Sequence, residues 1–160
     1  MLTAGGTAAG ENVQFSGTLV ALPCTIPDSD RTIRVHMGIL NAHDLYLHQD
    51  TPHVPFILHL QDCNPTIAGT VNVTFSGTED AALPGYLAVD GSASGVAIGL
   101  DNGKGEQIKV NQATPYYPLL AGNNELNFRA FITGEPEAVK SRSISTGDFS
   151  ASSTLEIKYD

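Results

Sequence analysis

The stretch Gly147-Asp-Phe-Ser-Ala-Ser-Ser-Thr-Leu-Glu-Ile-Lys-Tyr-Asp160 decides the fold of this chain. Apolar and polar side chains alternate along it, as in a strand with one buried face. We expect this strand to end the chain with a free edge, which invites another polypeptide to complete the sheet. The predicted inner face carries Phe149, Ala151, Ser153, Leu155, Ile157 and Tyr159.

Composition favours a single all-β domain. The chain has 160 residues and is 41% hydrophobic, which is enough for one core, and no shift in composition divides it. Sixteen glycines, nine prolines and many short runs of β-branched residues favour antiparallel strands over helices. A formal charge of −9 argues against nucleic acid and against anionic membrane surfaces as partners.

Nine segments of strand length alternate or run apolar between turn signals, and their spacing favours a β-sandwich. We predict a short helical turn at Thr78–Leu83 with Thr78 as its N-cap, and a tight hairpin at Asp101-Asn-Gly103. The predicted strands are Val13–Leu22, Thr32–Met37, Val54–Leu60, Thr70–Ser76, Tyr86–Val89, Val96–Leu100, Glu106–Val110, Glu125–Thr133 and Phe149–Tyr159.

The two cysteines, Cys24 and Cys63, show no metal-binding spacing, so a structural disulfide is the leading interpretation. Two buried free thiols are the alternative. A disulfide implies an oxidising compartment, and we expect a mature chain because the first residues do not read as a secretory signal. No run of apolar residues is long enough to predict a membrane span.

The sequence predicts no catalytic, metal or cofactor site. Its five histidines are spaced neither as a helical pair nor as a zinc motif, so we interpret them as exposed or loop residues. It has no nucleophile elbow and no phosphate-binding loop. We therefore expect a protein that is not an enzyme and holds no cofactor. The histidines are His36, His43, His48, His53 and His59.

Several stretches resemble the subunits of type 1 and P pili, which are assembled by the chaperone–usher route. The glycine fourteen residues from the end and the penultimate tyrosine resemble the C-terminal signature of these subunits. The order of the motifs and the cysteine spacing strengthen the resemblance, which covers about residues 13 to 160 and is nearest to a minor adaptor. The other stretches are Val13–Cys24, Pro55–Cys63, Phe75–Gly85 and Ser94–Leu100.

The resemblance implies an incomplete immunoglobulin-like β-sandwich that lacks its last strand and is completed by a donor strand. In the family, a periplasmic chaperone fills the open groove, and the N-terminal extension of the next subunit then replaces it by donor-strand exchange. The implied groove residues are Phe149, Ala151, Leu155, Ile157 and Tyr159. The chaperone's grip on the terminal carboxylate maps onto Asp160.

We expect residues 1–12 to be the N-terminal extension and residues 13–160 to be the pilin domain. The predicted donor side chains are Leu2, Ala4, Gly6 and Ala8, which share one face of an extended strand. Leu2 is the only large apolar side chain among them, whereas the extensions of the family carry several.

The expected function is that of a structural minor subunit, an adaptor, of an adhesive pilus. A self-contained immunoglobulin-like binding or tip-adhesin domain, and a pilus assembly terminator, are the alternatives. The expected partners are the periplasmic chaperone, the outer-membrane usher and neighbouring subunits. We expect passage through the periplasm and then a place in the extracellular fimbrium of a Gram-negative bacterium.

Overall fold

A computed structural model describes residues 10–160 of the chain. Strands dominate the described residues, with two short α-helices, Ala42–His48 (α1) and Pro136–Lys140 (α2), and a 3-10 helix at Asp28–Asp30. The strands are β1 Val54–Cys63, β2 Thr70–Ser76, β3 Asp90–Gly91, β4 Val96–Asp101, β5 Gln107–Ile108, β6 Tyr117–Pro118, β7 Gly122–Gly134, β8 Phe149–Ser150 and β9 Thr154–Tyr159.

The strands form open antiparallel sheets. One sheet has the order β1-β7-β4-β5, a second has the order β6-β2-β9, and β3 pairs with β8. The long strand β7 is central, since β1 pairs with one side of it and β4 with the other. Within residues 10–160, β9 pairs with β2 alone and is therefore an edge strand of this sheet.

The core lies between the two larger sheets. Phe56 of β1 and Phe128 of β7 approach Phe75 of β2, with ring centroids 6.1 Å and 5.1 Å from that of Phe75. Both ring pairs meet edge-on, an arrangement that aromatic pairs prefer. The contact of side chains from two sheets confirms the predicted all-β sandwich.

The predicted disulfide is confirmed, since Cys24 is bonded to Cys63 at the end of β1. Both cysteines are buried in the hydrophobic core. A backbone bridge between Thr25 and Gln61, with both N–O distances at 2.8 Å, holds the chain beside the same end of β1.

Three predicted strands do not form. Val13–Leu22 and Thr32–Met37 pair with no strand among the described residues, and Tyr86–Val89 makes only isolated bridges at Leu87. The predicted C-terminal strand is interrupted, with β8 and β9 separated by residues 151–153. For the first two segments the sequence pattern has the period of a strand, but hydrogen bonds to a neighbour are missing.

Capping by side chains explains where the observed helices and turns differ from the sequence predictions. The Asn41 side chain accepts a hydrogen bond from the amide of His43 at 2.9 Å and caps α1, which the sequence analysis missed. Thr78–Leu83 is not helical, because the Asp80 carboxylate caps a turn by accepting from Ala82 and Leu83. The expected tight hairpin is a longer loop over residues 102–106.

Candidate functional site

The edge strand β9 and its core-facing side chains are the first part of the candidate site. Leu155, Ile157 and Tyr159 face the core and are half-buried, whereas Glu156 and Lys158 are exposed. This alternation agrees with the predicted inner face at those three positions, but Ser153 is exposed. Burial raises the pKa of the Tyr159 hydroxyl above its usual value.

A second extended segment faces the core without a backbone partner. Ile33, Val35 and Met37 are half-buried and pack against the core, and the residues between them are exposed. Residues 32–40 make no backbone hydrogen bond to any of the described residues. This segment therefore has the side-chain pattern of a strand but lacks its hydrogen bonds.

A small cavity of about 70 Å³ lies beside the end of the unpaired segment. Leu40, at the end of that segment, and Phe149 of β8 both line it. Leu45, Ile132 and Ile144 contribute further apolar side chains, so the cavity suits an apolar side chain.

The last residue is fixed to β2. Asp160 and Thr70 exchange two backbone hydrogen bonds of 3.0 Å, and the Thr70 hydroxyl donates to the same main-chain oxygen of Asp160 at 2.9 Å. Asp160 itself is exposed. Of the other predicted groove residues, Phe149 and Ala151 are also half-buried and pack against the core.

Residues 10–22, which precede the disulfide, are all exposed. Val13 is 76% exposed and Phe15 is 91% exposed, and Leu19 is fully exposed. These side chains lie at even spacing with Gly17 between them, so they share one face when the segment is extended. Residues 10–22 make no backbone hydrogen bond to the rest of the described chain.

This segment corrects the prediction of a strand at Val13–Leu22. Its alternating pattern is real, but it covers no core in this chain, because every residue from 10 to 22 is exposed. The predicted donor residues Leu2, Ala4, Gly6 and Ala8 lie outside the described residues. The exposed apolar row at Val13, Phe15 and Leu19 was visible in the sequence, but its spacing alone does not distinguish a strand within the fold from one offered to a partner.

Two of the histidines are paired with carboxylates. His53 lies in the loop before β1, as predicted, whereas His59 lies in β1 and is half-buried, which corrects its interpretation as an exposed or loop residue. His53 Nδ1 lies 2.6 Å from an Asp101 oxygen, and His59 Nδ1 lies 2.8 Å from an Asp30 oxygen. Of the remaining three, His43 and His48 lie in α1, and all three are exposed. Within residues 10–160, no group of three His, Cys, Asp or Glu side chains could hold a metal ion.

The buried carboxylate of Asp101, at the end of β4, is hydrogen-bonded by three groups. Burial alone would raise the pKa of Asp101, but hydrogen bonds from Arg129, the Gly103 amide and His53 hold that pKa below its usual value. Arg129 binds both carboxylate oxygens, at 2.8 Å and 3.0 Å. This cluster is a structural brace, since its groups satisfy one another.

The family model described as fimbrial protein matches residues 13–160. The chain belongs to the fimbrial protein family. It is 34% identical over 156 residues to the uncharacterized fimbrial-like protein YfcP of Escherichia coli strain K12, with 95% of this chain and 85% of YfcP covered. It is 32% identical over 171 residues to the fimbrial adapter PapK of Escherichia coli, with 96% of this chain and 90% of PapK covered.

The fold of this fimbrial protein is similar to that of a solved pilus subunit. The crystal structure of the P pilus rod subunit PapA superposes with a TM-score of 0.75 at 20% identity, covering 87% of this chain and all of that one. The predicted immunoglobulin-like sandwich of pilus subunits is thereby confirmed. Members of the family are structural subunits of extracellular pili, so this fimbrial protein is not an enzyme. No helix in residues 10–160 could span a membrane.

Proposed function

We propose that this fimbrial protein is a minor adaptor subunit of a chaperone–usher pilus and polymerises by donor-strand exchange. In this proposal a strand from another polypeptide lies between β9 and residues 32–40 and bonds to both. The observation that carries it is the unpaired backbone of residues 32–40, whose side chains nevertheless pack against the core in alternation.

Energetics favour such a strand. The backbone amides and carbonyls of residues 32–40 and of the free edge of β9 would gain partners, and half-buried side chains would lose contact with water. Burial of apolar surface contributes about 25 cal/mol per Å². The cavity between Leu40 and Phe149 would receive one apolar side chain of the incoming strand.

The exposed row on residues 13–22 is the donor that fits best. At about 3.3 Å per residue its ten residues extend to roughly 33 Å, long enough to run beside residues 32–40 and the six residues of β9. It presents Val13, Phe15 and Leu19, whereas residues 1–12 offer Leu2 as their one large apolar donor. The donor role of Leu2, Ala4, Gly6 and Ala8 remains a prediction.

The adaptor role rests on similarity to the fimbrial adapter PapK. The match covers 96% of this chain. The proposed partners are the neighbouring subunits on either side in the fibre, together with a periplasmic chaperone and the outer-membrane usher. The chaperone would fill the groove during passage through the periplasm and would bind the exposed Asp160 carboxylate with basic side chains.

Peptide complementation tests the proposal. The oxidised full chain is mixed with a peptide of residues 11–22, with a peptide of residues 1–12, or with the 11–22 peptide carrying serine at Val13, Phe15 and Leu19. We expect the 11–22 peptide to raise the free energy of unfolding by about 2.7 kcal/mol at a hundred times its Kd. The serine peptide should have no such effect.

The outcomes separate the alternatives. Stabilisation by the 1–12 peptide alone would return the donor role to Leu2, Ala4, Gly6 and Ala8. A stable monomer that is indifferent to every peptide would contradict donor-strand exchange and favour a self-contained binding domain. An assembly terminator, which needs no groove access for a following subunit, would also be indifferent to the peptides, but its own N-terminal residues would still complement another subunit, whereas those of a self-contained domain would not.

A further inference from the structure

Asp30 attaches the chain to the free edge of β1. One oxygen, Asp30 Oδ2, accepts a hydrogen bond from the backbone amide of His59 at 2.6 Å and lies 2.8 Å from His59 Nδ1. The Asp30 side chain is only 9% exposed. The other ring nitrogen of His59 lies 3.8 Å from a Glu125 carboxylate oxygen on β7.

The position of this contact is unusual. Within the described residues the only strand that pairs with β1 is β7, so the His59 amide that reaches Asp30 points away from that ladder. A side-chain oxygen thus takes the place of a neighbouring strand. Because carboxylates form charge-assisted hydrogen bonds, this contact is stronger than a neutral one.

Asp30 also lies at the point where the hydrogen bonds between this part of the chain and β1 end. Thr25 bridges Gln61, the 3-10 helix follows, and after Arg31 no backbone hydrogen bond forms until Asn41. Asp30 is therefore the last side chain anchored to β1 before residues 32–40, the unpaired segment of the candidate groove.

We propose that Asp30 is a positioning residue that fixes the register of residues 32–40 for an incoming strand. The proposal rests on the donor-strand function. With Asp30 bonded to His59, the segment starts from a fixed point, and Ile33, Val35 and Met37 are placed against the core before the donor arrives. Ordering these residues in advance lowers the entropy cost of binding.

The test uses the oxidised full chain, the fluorescent peptide of residues 11–22 and three variants. Asp30→Ala removes the acceptor, and Asp30→Asn keeps an oxygen that can accept from the His59 amide. Asp28→Ala is the matched control, because the Asp28 side chain lies two residues away, is 94% exposed and pairs only with Arg31. Peptide Kd and the free energy of unfolding without peptide are measured for each.

We expect Asp30→Ala to weaken peptide binding about tenfold, a loss of 1.4 kcal/mol. Asp30→Asn should fall between Asp30→Ala and the unsubstituted chain, and Asp28→Ala should bind normally. Equal affinity of Asp30→Ala and Asp28→Ala would overturn the positioning role, as would a loss of stability with unchanged affinity of the folded chain. Should Asp30→Ala fail to fold, Asp30→Asn decides through the charge: it keeps an acceptor but loses the charge that strengthens the contact, so binding as tight as that of the unsubstituted chain would overturn the role. If the unsubstituted chain fails to bind the peptide, the proposed function falls and this role falls with it.

Discussion

Phe75 and Leu155 are register partners on β2 and β9, yet they differ in burial. Phe75 is 6% exposed, whereas Leu155 is half-buried. The same contrast separates Val73 from Ile157 and Val71 from Tyr159. In each pair the β2 side chain is therefore buried, and the β9 side chain is partly exposed to solvent.

This contrast predicts different effects of charge at neighbouring positions of β9. Leu155→Lys should weaken binding of a donor peptide or a pilus chaperone by tenfold or more, because a charge would have to be buried beneath the donor. Glu156→Lys, on the exposed face, is the control and should leave the affinity within twofold, with circular dichroism confirming the fold of both. Similar affinities for the two variants would show that the open side of β9 does not receive the partner.

The disulfide should contribute strongly to stability. Replacing Cys24 and Cys63 by alanine removes a crosslink between residues 39 positions apart. In the chain-entropy description this lowers the free energy of unfolding by about 4 kcal/mol. Urea unfolding of the oxidised and reduced chain measures the same quantity without substitution, and an unchanged midpoint on reduction would contradict it.

The brace between Asp101 and Arg129 predicts a pH dependence. The folded pKa of Asp101 lies below the unfolded value of about 3.9, so its stabilisation is complete above that pH and is lost as pH falls through the folded pKa. Asp101→Asn should lower the free energy of unfolding by about 1–3 kcal/mol at pH 7. It should also make that free energy less dependent on pH in the acid range. Denaturant unfolding between pH 2 and pH 7 measures this, with exposed Asp90→Asn as the control. If the free energy of unfolding falls as steeply at acid pH in Asp101→Asn as in the unsubstituted chain, Asp101 is not the cause of that fall.

Gly99 should tolerate no side chain. His53 stacks on Phe131 with ring centroids 4.1 Å apart, and Phe131 lies across Gly99, so a Cβ there would overlap the Phe131 ring and come within 2.9 Å of Tyr86. Gly99→Ala should lower the free energy of unfolding by about 1–3 kcal/mol. Gly69→Ala meets no atom within 4 Å and should change it by less than 0.5 kcal/mol. Thermal unfolding compares them, and equal melting temperatures would contradict the crowding at Gly99.

Period-two patterning predicted the paired strands well. Thr70–Ser76 is β2 as predicted, and the patterns at Val54, Val96 and Glu125 fall within β1, β4 and β7. The pattern failed at Val13–Leu22 and Thr32–Met37, because alternation shows which side chains seek burial but not which chain supplies the partner strand. These two failures lie at the candidate donor and groove, whereas the third, Tyr86–Val89, makes only isolated bridges at Leu87.

The contacts of Asp30 and Asp101 could not be predicted. Asp30 meets His59 across 29 positions, and Asp101 meets Arg129 across 28, so neither pair follows a local rule of spacing. The helix α1 was missed because it is short and its cap is a single asparagine side chain. The alternating face at Leu155, Ile157 and Tyr159, in contrast, needed only the order of residues along one strand.

The bond between Cys24 and Cys63 has a mechanical consequence. Tension applied along a fibre through residues 13–22 would reach the folded body at Cys24, and from there it would pass covalently into the end of β1. β1 is bonded to β7 over most of its length, so the load would be shared along a ladder of hydrogen bonds. Residues 25–53 lie inside the covalent loop but outside β1, so tension that enters at Cys24 need not pass along them to reach the sheet.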